Sequence, residues 1–264
     1  MRAVERLAKA GNAFYLFGKV WKSGGIRWMG LLACWLLSAL WGTAGERGLH
    51  LFTLHQYVVQ LNELRVSLGL PPLKVNLELC EAAQTQANEI LIMQACSHVD
   101  RQGRRADARA LQAGYRFMML AENLAAGQPS WERAIEGWLN SPPHRMAMLA
   151  PDYREVGVGS AWTNTGRYTT AWAQVLGTRR GVYPLIINLD APWTENPSVR
   201  LYVHGARRAT AMRLSNDGRN WSEWRTPQEW VDWELPHEPG EHTVYVQLII
   251  RGRVYETSDS ILLR

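Results

Sequence analysis

Hydrophobic positions change their period twice along this chain. From residue 49 to 66, Leu51, Leu54, Val58, Leu61 and Leu64 recur at three- and four-residue steps, with Gln56, Asn62, Glu63 and Arg65 between them. That spacing predicts an amphipathic helix. Gly69-Leu70-Pro71-Pro72 ends it. Asn76 suits the N-cap of a second helix, read through Gln94, that carries Ala82, Ala83, Ala87, Ile90 and Leu91. Helical patterns return over 107–117 and from Ser130 to Asn140, the latter burying Ile135, Trp138 and Leu139. Ser141-Pro142-Pro143 then restarts the chain. Ser141 fits an N-cap and Pro142 the first turn of a short helix carrying His144. Val156 to Trp162 and Tyr168 to Leu176 read as strands joined by a turn at 163–167. Residues 49–177 therefore predict an α+β domain.

After Arg179-Arg180-Gly181 only short alternating runs remain: Leu185 to Leu189, Ser198 to Val203, Ala211 to Leu214, Thr243 to Ile250 and Val254 to Ser258. Turn signals such as Asn216-Asp217-Gly218 and Glu238-Pro239-Gly240 separate them, which predicts a small all-β sandwich over 183–264. Its phrase from Leu214 to Trp224, followed by Trp233-Glu234-Leu235 and Val244-Tyr245-Val246, resembles immunoglobulin-like and fibronectin-III-like repeats. Trp221, Trp224, Trp230 and Trp233 are expected as sandwich core and edge cover.

Charge separates the N-terminus from the rest. Of 29 basic and 24 acidic residues, six basic and one acidic lie in residues 1–27, leaving 23 of each in the remaining chain. A broad basic face for nucleic acid loses its support. Residues 28–41 are apolar and Gly42-Thr43-Ala44 follows, so 1–47 reads as an export signal or a retained signal-anchor. This implies an extracytoplasmic protein, secreted, periplasmic or held at the membrane through its N-terminus. Of three cysteines, Cys34 falls in that leader. Cys80 and Cys96 straddle one helix and would lie roughly 24 Å apart at ~1.5 Å per residue. A disulfide needs Cα atoms about 4.4–6.8 Å apart, so none is expected between them.

The remaining phrases form an ordered set: Leu61-Asn62-Glu63-Leu64-Arg65, Leu70-Pro71-Pro72-Leu73, Cys96-Ser97-His98, Ala121-Glu122-Asn123-Leu124, Trp138-Leu139-Asn140-Ser141-Pro142-Pro143-His144-Arg145, Tyr153 to Gly159, and Trp172-Ala173-Gln174. Together they resemble the CAP superfamily (cysteine-rich secretory proteins, antigen 5, pathogenesis-related 1) in its bacterial SCP-like form, over residues 48–180. The resemblance implies an α-β-α sandwich in which His98, Glu122 and His144 share a cleft. It also implies a second glutamate near Ser141, where this chain has none; Glu155 and Glu136 are weaker candidates for that acid. Two histidines and one carboxylate can hold zinc with an open position. The expectation is thus a weakly bound divalent metal on His98, Glu122 and His144, with Asn123 and Ser141 lining the cleft. Three functional readings stay open: a binding or scaffolding module for a lipid or other envelope component, a metal-dependent hydrolase of peptide or envelope polymer, and an adhesive surface protein using the β domain. Arg101, Arg104 and Arg105 form a polar loop beside the cleft, read as solvated or as a contact for anionic lipid or glycan.

Overall fold

The computed structural model describes the backbone of residues 44–264 and side chains from residue 53 onward. The proposed leader, Cys34 and the Leu51 side chain lie outside the described residues. Among those described, no helix is long and apolar enough to cross a membrane. The first described helix, α1 (Ala44–Ser67), buries Val58, Leu61 and Leu64 as its periodicity predicts. Residues 55–264 form one compact unit.

The first part of that unit is built around a four-stranded sheet. After the short β1 (Lys74–Val75), Asn76 caps α2 (Leu77–Met93) by accepting from the Leu79 amide at 3.0 Å. The next helix, α3 (Ala106–Gln112), stops five residues short of the predicted end. Gly114 takes φ +97°, and the chain turns inward to bury Tyr115, whose hydroxyl donates to Glu155 at 2.9 Å. β2 (Met119–Ala126) follows, a strand that hydrophobic periodicity left unassigned. α4 (Trp131–Asn140), capped by Ser130, leads into α5 (Pro142–Met148). β3 (Glu155–Trp162) and β4 (Thr170–Thr178) complete the sheet in the order β1-β3-β4-β2. β1 runs parallel to β3, and the other pairs are antiparallel.

Alternation along β4 sets the layers. Ala171, Ala173 and Val175 point to a core shared with Leu79, Ala82, Ala83, Ala87 and Ile90 of α2. Trp172 points the other way, where it meets Tyr57 of α1 and Trp131 of α4. Helices therefore cover both faces, the α-β-α sandwich the motifs imply. The approach of α2 is unusually close. A Cβ at Gly157 would sit 2.1 Å from the Leu79 carbonyl carbon, and one at Gly159 would sit 2.3 Å from the Gln84 nitrogen. Cys80 and Cys96 stand as separate thiols, and α2 runs unbroken past Cys80 to Met93.

The second part is β-rich. β5 (Leu185–Ile187), β7 (Ser198–Val203) and β9 (Trp230–Glu234) form one sheet in that order, and β6 (Trp193–Thr194), β11 (Arg253–Leu263), β10 (Gly240–Ile250) and β8 (Ala211–Ser215) form the other in that order. Their inner faces share one aliphatic core that includes Leu201, Val203, Met212, Leu214, Val231, Val246 and Leu248. None of the four tryptophans expected as sandwich core and edge cover is fully buried, and Trp233 packs partly against the core. Trp221 and Trp224 instead flank the Arg213 guanidinium at 5.0 and 4.6 Å, and Arg200 covers Trp230 at 4.7 Å. An aromatic face stacked on guanidinium gains cation–π attraction.

The two parts meet through a polar junction. Asn188, Leu189 and Asp190 are consecutive left-handed residues (φ 45°, 60° and 73°), each costing roughly 1–2 kcal/mol for an L side chain. The Asn62 amide donates to the Leu189 carbonyl at 3.0 Å, and the Val75 amide donates to the Asp190 carboxylate at 2.7 Å. Lys74 bonds both Asp190 and Asp259, and Asp259 also accepts from the Ile187 amide at 2.9 Å. His204, buried, donates from Nε2 to the Pro72 carbonyl at 2.8 Å.

Candidate functional site

The site lies at the outer edge of the first sheet, because β2 is an edge strand and carries Glu122. His98 comes from the loop after α2, and His144 from the first turn of α5. His98 Nδ1 is 2.8 Å from Glu122 Oε1. The second carboxylate oxygen of Glu122 accepts from the Arg109 guanidinium of α3 at 2.5 Å. Arg109 is almost wholly buried and also donates to the Arg104 carbonyl at 2.8 Å. Glu122 is buried as well (3% side-chain exposure), whereas His98 reaches solvent with 48% of its side chain exposed. The chain His98–Glu122–Arg109 therefore runs from the surface inward.

His144 Nδ1 is 2.9 Å from the Ser141 hydroxyl. Ser141 occupies the N-cap position of α5, but its side chain makes no bond to the helix backbone. The imidazole three residues on captures the hydroxyl instead, which corrects the capping role expected from sequence. Burial, and then the nearby His98, push the His144 imidazole below its ordinary pKa. Both imidazoles use Nδ1 internally, and neither Nε2 has a hydrogen-bond partner among the described residues.

Asn123 does not line an open cleft. It is buried, and its amide donates to the His144 carbonyl and to Gln174 Oε1, each at 3.1 Å, so it fixes the first turn of α5 from behind. Glu155 is far from any vacancy in the set: it is buried under Tyr115 and Arg179. Glu136 is on the surface, paired with Arg133 at 2.6 Å. Neither replaces the missing acid. The Ser97 hydroxyl donates to the Val99 carbonyl and accepts from the Val99 amide, both at 3.0 Å, which occupies it as a turn anchor.

The fit to a divalent metal can be judged from this donor set. Both oxygens of Glu122 are committed, one of them to a buried cation that opposes a second positive charge. Among the described residues, no group of three His, Cys, Asp or Glu is placed to hold a metal ion. A resident zinc on His98, Glu122 and His144 does not fit the arrangement as it stands. The functional residue that sequence reasoning missed is Arg109. An arginine in Ala-Asp-Ala-Arg-Ala-Leu, a segment rich in small apolar residues, is the signal that could have marked it as buried and paired.

This fold and this edge-strand histidine–glutamate site define an α-β-α domain of one recognised class. Residues 59–176 match the model of the CAP family, described as the cysteine-rich secretory protein family, and this segment is a CAP-superfamily domain. Over 98 residues the chain is 33% identical to the Bacillus subtilis membrane protein YlbC, covering 37% of this chain and 28% of YlbC. Over 112 residues it is 29% identical to YkwD of the same organism, covering 40% of this chain and 44% of YkwD. The chain thus spans less than half the length of either curated relative. Among solved structures, an extracellular SCP-domain protein from Bacillus anthracis aligns with TM-score 0.42 at 22% identity, covering 48% of this chain and 40% of that one. An outer surface protein of Borrelia burgdorferi aligns with TM-score 0.42 at 23% identity, covering 53% and 97%.

Proposed function

We propose that this is an exported cell-envelope protein whose CAP site binds a small amphipathic ligand and does not turn one over. One observation carries the reading. The carboxylate of Glu122 is neutralised from within by Arg109, so the groups left facing outward are the Nε2 atoms of His98 and His144. Two imidazole edges can donate or accept a hydrogen bond to a polar headgroup. The same elements carry exposed apolar side chains: Met119 on β2, Met118 just before it, and Met146 on α5. Flexible thioethers suit an acyl or other irregular apolar body. Export is supported by the basic segment and apolar run of residues 1–41, and by the membrane assignment in the name of YlbC.

Native mass spectrometry of protein taken from its own compartment tests this. The expected result is a co-purifying lipid that is lost from the His98→Ala/His144→Ala variant and retained after chelator treatment. Loss of the ligand with chelator, in a protein whose fold is unchanged, would restore the metal reading. The hydrolase reading draws on the His98–Glu122 pair, which could orient an imidazole as a base. It requires turnover of an envelope peptide or polymer that disappears in His98→Ala.

A further inference from the structure

Sequence reading left Arg101, Arg104 and Arg105 as a solvated loop or a contact for anions. Two of these are spent within the fold. Arg101 holds Glu89 through two bonds of 3.0 Å, and Arg104 holds Asp100 at 2.8 Å. A different set of arginines is not spent. The linker that leaves β4 and the β10–β11 hairpin together enclose a pocket of about 510 Å³, lined by Arg180, Gly181, Tyr183, Arg251, Arg253 and Tyr255. No acidic side chain lines it, and none of its three arginines has an ion-pair partner among the described residues. Its aromatic wall is packed: Tyr183 and Tyr255 meet edge to face at 5.2 Å, and the Arg154 guanidinium backs Tyr183 at 4.8 Å.

The hairpin adds an independent point. Ile250 pairs with Arg253, so the loop is the two residues Arg251-Gly252, and both have positive φ (51° and 75°). Such a turn favours asparagine or aspartate at its first position. Arginine there is held in a left-handed conformation that a smaller polar residue would adopt more easily. The residue that relieves the backbone would remove the charge.

We propose that this pocket is a phosphate-binding site that takes the phosphate group of a soluble phosphorylated compound or of a lipid headgroup. Guanidinium forks match phosphate oxygens bidentately, and three unpaired forks around one pocket supply the donors. The apolar tyrosine edges would flank the group that carries the phosphate.

The test uses the full chain with two probes, inorganic pyrophosphate by calorimetry and phosphatidylglycerol vesicles by co-sedimentation, with phosphatidylcholine vesicles as the uncharged reference. Arg180→Gln/Arg251→Asn/Arg253→Gln should lose about tenfold or more in affinity for whichever probe binds, while Arg101→Gln/Arg104→Gln should not. Binding of pyrophosphate alone assigns a soluble ligand, and binding of anionic vesicles alone assigns a headgroup; either supports the site. Arg251→Asn by itself should weaken binding and raise Tm, a combination that a damaged fold cannot produce. The proposal fails if the wild-type chain binds neither probe, or if the triple variant binds as well as wild type.

Discussion

Two charge clusters in this molecule use the same residue types in opposite ways. At the CAP site, two buried carboxylates, Glu122 and Asp100, meet two guanidiniums, Arg109 and Arg104, and an imidazole carries the chain of contacts out to solvent. At the junction, one lysine serves two carboxylates, Asp190 and Asp259, which are 2% and 6% exposed. The first cluster is balanced and open, the second unbalanced and sealed. Balance with an open end leaves side-chain edges for a ligand. Imbalance in a closed setting makes the contact sensitive to protonation and to the loss of its one shared cation.

The largest effect that separates the two should come from Lys74→Met. It would leave two buried carboxylates facing each other, at a cost of about 3–5 kcal/mol in denaturant unfolding at neutral pH. A loss below about 1 kcal/mol would mean that the junction is wetter than its burial implies. Next is Arg109→Met at the CAP site, expected to cost about 2–3 kcal/mol. The smaller figure follows from His98, whose contact with Glu122 remains when Arg109 is gone. Equal losses at the two sites would erase the contrast between them.

The third effect is pH dependence. Burial pushes the Asp259 carboxyl up to about 6, against the pull of Lys74 and with the push of Asp190. An acid whose folded value is raised binds more protons folded than unfolded between about 4 and 6, so its contribution falls as pH rises through that window. His204 has the opposite sign. Burial drives its pKa down to about 3 despite the Pro72 carbonyl, so its contribution is complete above 6.5 and is lost as pH falls toward 3. Asp259→Asn should remove the first trend and leave stability rising with pH across the window, a change of about 2 kcal/mol in relative slope from pH 4 to 6. Parallel wild-type and variant profiles would show that Asp259 does not titrate there. The smallest effect is His98→Ala. Glu122 keeps Arg109, and the hydrogen bond lost involves a half-exposed imidazole, so less than about 1 kcal/mol is expected by thermal or denaturant unfolding. A loss of several kcal/mol would make His98 a structural member of the site.

The contrast also marks what sequence could and could not reveal. His98, Glu122 and His144 were legible because each sits in a phrase of the CAP pattern. The bond between His98 and Glu122 and the closeness of His144 follow from the edge position of β2. Arg109 was illegible because an arginine on a short helix normally faces water, and only the burial of Glu122 turns it inward. The helices over 49–66, 77–93 and 131–140 showed in their periodicity and caps. β2 did not, since Ala121-Glu122-Asn123 puts polar groups on both faces of a strand that serves a site on one and an anchor on the other. Nor did the junction show: Lys74, Asp190 and Asp259 are 116 and 69 positions apart in sequence, and nothing local announces that two acids will share one lysine. Nor did the cover of the β-part tryptophans show. None of the four is fully buried, Trp233 packs partly against the core, and each has an arginine over its ring.

The glycines of β3 act as a register key. Val156-Gly157-Val158-Gly159 presents bare backbone to α2 at every second position. A slip of the strand by one residue would drive valine side chains into the helix backbone, while a slip by two would set Ala161, with its Cβ, where Gly159 now stands. Mispaired states of this sheet are thus excluded by volume before any hydrogen bond is counted. Because β3 pairs with β4, and β4 with β2, the fit of one helix against two hydrogen atoms fixes where along the sheet Glu122 comes to rest.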